Sequence, residues 1–241
     1  MHTVLQAIFR RRALAIGGAV VAALMIVGAI VGAIYVFGAG GGNSATSAHG
    51  TVTVPTLTAS ADTTVFAIDS SSSKATFTID EILFGKPNTV VGQTSQVAGQ
   101  IAINTKDPSQ SRIGEIKVDV STLTTDNPLR NRTLQGRILE TDDPSNQYAT
   151  FVASSISGLP SSIAVGQEVS FKITGALTVH GVTKTETFDA TVKVVSEKQI
   201  TGQAQTTVKY SDFNISVPDV PSVTGLGDTV TLAIDFTANA G

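Results

Sequence analysis

The residue in this sequence that is best suited to chemistry is His180, which lies in the stretch "GALTVHGVTKTETF" (residues 175–188). It is one of three histidines, and the chain contains no cysteine. A hydrolase would place a serine nucleophile and an orienting carboxylate beside such an imidazole. The sequence has abundant serines but no Gly-x-Ser-x-Gly nucleophile motif. The sequence therefore does not favour an enzyme.

Metal binding is equally poorly supported by the residue pattern. A zinc site needs several His, Cys or carboxylate ligands at short spacing, and none accompany His180. The acidic stretch "ETDDP" (140–144) lacks the ligand pattern of a calcium loop. We predict neither a metal site nor a cofactor.

His180 is out of step with the apolar alternation of Leu177 and Val179, and it precedes Gly181, a residue type common in turns. We interpret it as part of a turn between two strands. Contact with the head group of a ligand and catalysis remain as the alternative roles.

The elements around His180 are predicted to be strands. From about residue 65 onward, short runs alternate apolar and polar residues, which is typical of half-buried antiparallel strands. Five such runs are clear: "QVAGQIAI", "EIKVDV", "SFKITGALTV", "TFDATVKV" and "DTVTLAIDF". With weaker runs near Phe66, Phe77, Phe151 and Thr207, the count reaches eight or nine strands. This number suits a barrel or a sandwich, and the periodicity does not choose between them.

One segment has the pattern of a short helix. In "DNPLRNRTLQGRIL", Asn127 can cap a helix that begins at Pro128, and Leu134 and Ile138 share one helical face. The inward faces of the strands carry no charge and include Gly99 and Gly175. Such glycines either leave room for a ligand or mark a bend or bulge.

The N-terminal part of the sequence predicts a membrane anchor. Residues 13–37 contain no charged residue, and as a helix they would measure ~37 Å against a hydrocarbon core of ~30 Å. Three arginines precede the stretch, so the positive-inside rule places the N-terminus in the cytoplasm. The spacing of Gly28 and Gly32 fits a homodimer of membrane helices, but membrane helices are rich in glycine, so a spanning helix that does not dimerise is the favoured interpretation.

The predicted organisation has four parts: a cytoplasmic N-terminus (1–12), a transmembrane helix (13–37), a flexible linker (38–64) and an all-β domain (65–241). The domain is expected outside the cytoplasm, held at the cell membrane by a single pass, or secreted if the anchor is cleaved. The net charge of −3 gives no reason to expect a nucleic-acid partner.

Three stretches carry a resemblance to a known family. "GALTVHGVTKTETFDATV" closely resembles the strand–turn–strand signature of the YceI-like, polyisoprenoid-binding domain. "VDVSTLTTDNPLRNRTLQGRILETDDPSNQYATF" is similar to its strand, helix and following strand, and "TTVKYSDFNISVPDVPSVTGLGDTVTLAIDF" to its C-terminal hairpin. The resemblance implies an antiparallel, eight-stranded, lipocalin-like barrel with one short helix, whose lumen holds an isoprenoid chain.

The resemblance is weaker where a head group would bind. The family usually has Leu-Arg-Ser on the helix, and this chain has Leu134, Gln135 and Gly136; the aromatic pair that follows is replaced by Ile138 and Leu139, and a proline by Ala149. The lost arginine places an anionic head-group contact in doubt. Arg130, His180 and Lys184 are the remaining candidates for the rim, although basic residues of this kind more often solvate a surface.

The sequence leads to three functional hypotheses. The favoured hypothesis is a membrane-tethered carrier of an isoprenoid lipid, a polyprenyl phosphate or a quinone tail. The alternatives are an extracytoplasmic adhesion or scaffold module with a packed core, and a small hydrolase that uses His180. In the carrier, the residues predicted to line the lumen are Val97, Ile101, Ile116, Val118, Leu134, Ile138, Phe151, Phe171, Ile173, Leu177, Val179, Phe188, Leu232 and Ile234.

Overall fold

The structure is a computed structural model that describes residues 50–60 and 62–241. Within these residues, no helix combines the length and the apolar character needed to cross a membrane. The predicted cytoplasmic N-terminus, the transmembrane helix with Gly28 and Gly32, and residues 38–49 of the predicted linker lie outside the described residues.

The described chain is an all-β domain with one short α-helix, as the sequence predicts. It has thirteen strands, all paired antiparallel: β1 (Thr64–Ile68), β2 (Lys74–Leu83), β3 (Lys86–Thr94), β4 (Val97–Ala98), β5 (Gln100–Ile103), β6 (Arg112–Ile113), β7 (Ile116–Asp119), β8 (Tyr148–Ser157), β9 (Glu168–Val179), β10 (Val182–Ser196), β11 (Gln199–Lys209), β12 (Val223–Leu226) and β13 (Thr229–Ala240).

Several of these strands are pieces of longer runs, which is why they outnumber the eight or nine alternating runs of the sequence. β1 and β2 lie one after the other along β13, since Ile68 pairs with Ala238 and Phe77 with Leu232. β3, β4 and β5 form a second interrupted run, and β6 and β7 form a third. A change of register at Gly99 separates β4 from β5.

The sheet curls until its ends meet. β8, β9, β10, β11 and β13 follow one another as hydrogen-bonded neighbours, and β13 pairs with β1 and β2. The β1–β2 run pairs with the β3–β5 run, which pairs with β6 and β7, and β7 returns to β8. Counted as continuous runs, the ring has eight members. We call its interior the lumen.

The helix α1 (Pro128–Thr133) begins where the sequence predicts. The side-chain oxygen of Asn127 accepts hydrogen bonds from the backbone N–H groups of Leu129 and Arg130, at 2.9 and 3.3 Å. A π-helical turn, Leu134–Ile138, continues it, so that Leu134 and Ile138 still face the domain interior.

Four of the five short 3₁₀ turns in the described chain begin with the same type of cap. Each begins after an aspartate in an Asp-x-Ser sequence, and the aspartate accepts a hydrogen bond from the serine backbone N–H. This capping satisfies backbone donors that would otherwise lack partners. The aspartates are Asp69, Asp107, Asp119 and Asp143.

The described end of the predicted linker contacts the domain. The backbone N–H of Leu57 donates to Gln100 Oε1 at 2.6 Å, and Arg112 Nη2 donates to the carbonyl oxygen of Thr58 at 3.1 Å. Val52 is buried. The described residues from Gly50 onward form one compact unit that contains every described strand. This unit has its own hydrophobic core, as an independent domain requires.

Candidate ligand-binding site

The lumen contains a large cavity, which we call the outer cavity. Its volume is about 730 Å³, within the range of ~300–1,000 Å³ found for small-molecule sites. Apolar side chains from β2, β7, β10, β13 and the helix supply most of its wall. An apolar wall around a cavity of this size is the arrangement expected of a site for an apolar ligand.

A second, smaller cavity of about 110 Å³ lies in the lumen next to the outer cavity, and we call it the inner cavity. Apart from Ser111 and Arg112, its lining is apolar, and it includes Phe171, Val192 and Phe236. No acid or lysine lines it. Its wall is therefore as suited to a hydrocarbon as that of the outer cavity.

Four side chains line both cavities and so stand between them. They come from four different strands: Ile116 on β7, Phe151 on β8, Phe188 on β10 and Ile234 on β13. The two phenylalanine rings meet edge to face, with centroids 4.9 Å apart and planes at 64°. Both phenylalanines are buried. We call this layer the partition.

Thirteen of the fourteen residues predicted to line the lumen border one of the cavities. Val97 does not, and it is buried elsewhere in the core. Ile101, Phe171 and Ile173 line the inner cavity alone. The predicted residues that line only the outer cavity are Val118, Leu134, Ile138, Leu177, Val179 and Leu232. The predicted residues that line both cavities are the four of the partition. Their contact with a ligand remains a prediction.

Sequence reasoning missed part of the outer wall. Phe77, Ile79 and Leu83 of β2 line the outer cavity, as do Phe213 and Ile215. The alternation of Phe77 and Ile79 was a usable signal, but Glu81 has the same inward parity and interrupts it. The segment between β11 and β12 has no periodicity that predicts its position.

The outer cavity opens where three large apolar side chains are exposed to solvent. Phe84 is 79% exposed, Leu129 70% and Val220 44%, and all three line the cavity. They come from the β2–β3 turn, the first turn of α1 and the segment before β12. The backbone N–H of Phe84 donates to the carbonyl oxygen of Ser222 at 2.8 Å and joins two of these segments. We call this opening the mouth.

Phe84 has an unusual backbone conformation. With Gly85 it forms the two-residue turn between β2 and β3, and both residues have positive φ, 48° and 76°. Such turns favour Asn-Gly or Asp-Gly, and a bulky residue at positive φ is uncommon. A phenylalanine at this position costs conformational free energy, and its exposed ring gains little packing in return. This combination indicates that the ring has a function.

Arg130 at the mouth is paired with two carboxylates. Arg130 Nη2 lies 3.1 Å from Glu81 Oε1, and Arg130 Nη1 lies 2.7 Å from Asp126 Oδ1. Glu81 is buried and also accepts a hydrogen bond from Asn88 at 2.8 Å. Arg130 is the one basic residue in the described lining of the outer cavity, while Glu81 and Asp219 are acidic. The lining therefore carries no excess positive charge with which to hold a phosphate.

The other two predicted rim residues lie apart from the cavities. His180 and Gly181 form the turn between β9 and β10, with φ of 50° and 70°. His180 Nε2 lies 3.3 Å from Glu140 Oε2, and its Nδ1 is buried without a hydrogen-bond partner among the described residues. Lys184 is exposed on β10, and neither residue lines a cavity.

The two glycines on the inward faces leave room for protein side chains. A Cβ on Gly175 would lie 2.7 Å from Phe151 Cζ, and one on Gly99 would overlap the Ile116 side chain. Gly175 also lies opposite the irregularity of β8 between Ala153 and Ser155. These positions therefore admit the side chains of the partition.

The described residues contain no group of three or more His, Asp or Glu arranged to hold a metal ion. Glu186 on β10, which lines neither cavity, has a shifted pKa. Burial, and then the charge of Asp212, raise the pKa of its carboxyl above the ordinary value of 4.5.

The comparison with known families agrees with this arrangement. A model of the YceI-like domain matches residues 66–238, which is most of the chain and nearly the whole described domain. The chain belongs to the YceI family. A comparison with curated proteins finds no match.

Solved structures resemble this YceI-like domain in fold. A polyisoprenoid-binding domain from Saccharophagus degradans, described as implicated in plant cell wall breakdown, is 17% identical, with a TM-score of 0.57 over 73% of this chain and 98% of its own. Burkholderia cenocepacia BcnA is 21% identical, with a TM-score of 0.57 over 71% and 99%. The Campylobacter jejuni YceI protein is 19% identical, with a TM-score of 0.51 over 62% and 84%. At these identities the likeness shows the fold.

Proposed function

We propose that this protein is a membrane-tethered carrier that holds the tail of an isoprenoid lipid in the lumen of its lipocalin-like barrel. The observation that carries this proposal is the outer cavity, an apolar space of about 730 Å³ inside a YceI-like domain. An isoprenoid tail has no hydrogen-bonding groups, so it matches a wall that offers few. The alternative of a packed scaffold domain requires side chains in the space that this cavity occupies.

Exchange with a membrane is the second part of the proposal. Burying a CH₂ group from water contributes about 0.8 kcal/mol, but a tail in a bilayer is already in an apolar medium. Transfer from bilayer to lumen is therefore nearly neutral in free energy. A mouth ringed by Phe84, Leu129 and Val220 would let the tail pass without crossing water.

The anchor supplies the proximity that such an exchange needs. Residues 13–37 would span the membrane, with the N-terminus in the cytoplasm and the barrel outside it. Twelve residues separate this stretch from Gly50. A flexible chain of that length reaches ~20 Å on average, so the barrel would stay near the outer leaflet. If the anchor is cleaved, the barrel is secreted.

The charges at the mouth favour an uncharged head group. Arg130 is already bound by Glu81 and Asp126, and the remaining charges in the cavity lining are negative. A phosphate would meet Glu81 and Asp219 without a free cation to balance them. We therefore propose a polyprenol or the tail of a quinone as the ligand in preference to a polyprenyl phosphate.

Native mass spectrometry of residues 49–241 tests this function. The domain is expressed in a bacterium, purified without detergent, weighed, and extracted with organic solvent. We expect an adduct with the mass of a polyprenol or an isoprenoid quinone. A domain that carries no adduct and also binds no added isoprenoid would rule out the carrier function.

A further inference from the structure

We propose that the partition formed by Phe151 and Phe188 sets the length of the isoprenoid tail that the lumen accepts. This inference rests on the proposed function and adds a residue-level determinant of chain length. A tail that enters through the mouth fills the outer cavity first, because Phe84, Leu129 and Val220 border only that cavity. Its end then meets the two rings.

The partition blocks the lumen because its side chains come from four strands distributed around the barrel. Ile116, Phe151, Phe188 and Ile234 each line both cavities, and they belong to β7, β8, β10 and β13. The phenylalanines supply its largest side chains, and their edge-to-face contact at 4.9 Å leaves no gap between the rings for a hydrocarbon chain.

Gly175 explains why the two rings can meet. It lies on β9, the strand between β8 and β10, at the inward position between Ile173 and Leu177. Any side chain there would overlap the ring of Phe151, whose Cζ lies 2.7 Å from the position of the missing Cβ. With glycine at this position, Phe151 extends across β9 and touches Phe188.

The inner cavity sets the size of the expected effect. An apolar cavity of ~150 Å³ accommodates one benzene molecule, and the inner cavity measures about 110 Å³. The space behind the partition therefore suits about one isoprene unit. Removing one of the two rings would join the cavities and lengthen the accepted tail by about one to two units.

The experiment measures the chain length that the domain selects. Residues 49–241 are incubated with a mixture of polyprenols that differ by single isoprene units, and the bound species are resolved by native mass spectrometry. Phe151→Leu and Phe188→Leu are compared with the wild type. Phe171→Leu is the matched control, because Phe171 lines the inner cavity but does not belong to the partition.

We expect both partition variants to shift the most abundant adduct by about one to two isoprene units toward longer tails, and Phe171→Leu to leave it unchanged. A shift of the same size in all three variants, or in none, would overturn the inference while leaving the carrier function intact. A wild-type domain that binds no polyprenol would overturn both.

A variant that keeps the partition intact provides a second test. Ala204 lines the inner cavity alone, so Ala204→Leu reduces that space while leaving both phenylalanines in place. We expect no change in the chain length that this variant selects, because the tail of the wild type does not pass the rings. A shift toward shorter tails would show that the inner cavity is already occupied and that the partition does not limit the tail.

Discussion

The ring of Phe151 occupies the space that a side chain at position 175 would need. The ideal Cβ position on Gly175 is 2.7 Å from Phe151 Cζ and 2.9 Å from Ala153 Cα, and it overlaps the carbonyl oxygen of Val152. Real Cβ atoms do not approach other heavy atoms this closely. The aromatic ring thus covers the glycine from the neighbouring strand, an arrangement that stabilises glycine in β-sheets.

Gly175→Ala is expected to destabilise the domain by about 1–3 kcal/mol, the usual cost of overpacking. The added methyl group must displace both a ring and the β8 backbone, and the backbone cannot rotate away. The free energy of unfolding in urea measures the effect. Gly136→Ala is the control, since nothing lies within 4 Å of that Cβ position on an exposed helical turn. The control should gain about 0.5–1 kcal/mol. Equal stability of the two variants would contradict the packing described here.

Phe84→Asn is expected to weaken binding of the domain to lipid vesicles by about ten- to a hundredfold, because an exposed ring of this size contributes about 1.5–3 kcal/mol when it leaves water. Stability should not fall, since asparagine suits the positive φ of residue 84 better than phenylalanine does. Co-sedimentation with phosphatidylcholine vesicles measures the binding. Val165→Asn is the matched control, because Val165 is 58% exposed but lines neither cavity. Equal losses in the two variants would mean that the mouth has no special role at the membrane.

Glu81→Gln is expected to shift the preference of the domain toward anionic head groups. The substitution removes a buried negative charge beside Arg130 and keeps the shape of the side chain. The ratio of bound geranylgeranyl phosphate to bound geranylgeraniol should rise about tenfold, as expected for one charge at short range. Asp126→Asn is the control, since Asp126 is 86% exposed and its charge is screened by water. A wild-type domain that already prefers the phosphate would contradict the uncharged head group proposed here.

Glu186 is expected to make the domain less stable as the pH rises. Burial, and to a smaller extent the charge of Asp212, raise the pKa of Glu186 above 4.5, so the folded state holds the proton more tightly than the unfolded chain. The resulting stabilisation is present below pH 4.5 and is lost as the pH rises through the raised pKa.

Glu186→Gln should remove this contribution, so its stability relative to the wild type should increase between acidic and neutral pH. Thermal unfolding across that range measures the difference. Asp212→Asn should reduce the pH dependence without abolishing it, since burial is the larger cause. A pH dependence that is identical in wild type and Glu186→Gln would show that the carboxyl is not shifted.

The strand pattern could be predicted from the sequence because the sheet has one apolar face along most of its length. β9 and β10 show the period of two most clearly, and Phe171, Ile173, Leu177 and Phe188 face the lumen as the alternation indicates. The helix start was also predictable, because Asn127 and Pro128 determine it through local hydrogen bonding and backbone geometry.

The outer wall and the partition could not be predicted in the same way. Glu81 interrupts the alternation of β2, and its burial depends on Arg130, which is 49 residues away in the sequence. Alternation also says that Phe151 and Phe188 face inward, but not that their rings meet across β9. That contact depends on a third residue, Gly175, whose missing side chain can be interpreted in two ways from the sequence alone.

His180→Asn is expected to leave both stability and polyprenol binding unchanged. His180 and Gly181 have the two positive φ angles of a tight hairpin turn, and asparagine is among the residues that this turn favours. His180→Val should cost about 1–2 kcal/mol, because a branched Cβ clashes with the backbone at positive φ. Urea unfolding and polyprenol binding of the two variants separate the roles. If the imidazole held the ligand, both substitutions would weaken binding equally; if it were catalytic, both would abolish a measurable ester hydrolysis. A role in the turn predicts that only valine has an effect, and that this effect is on stability.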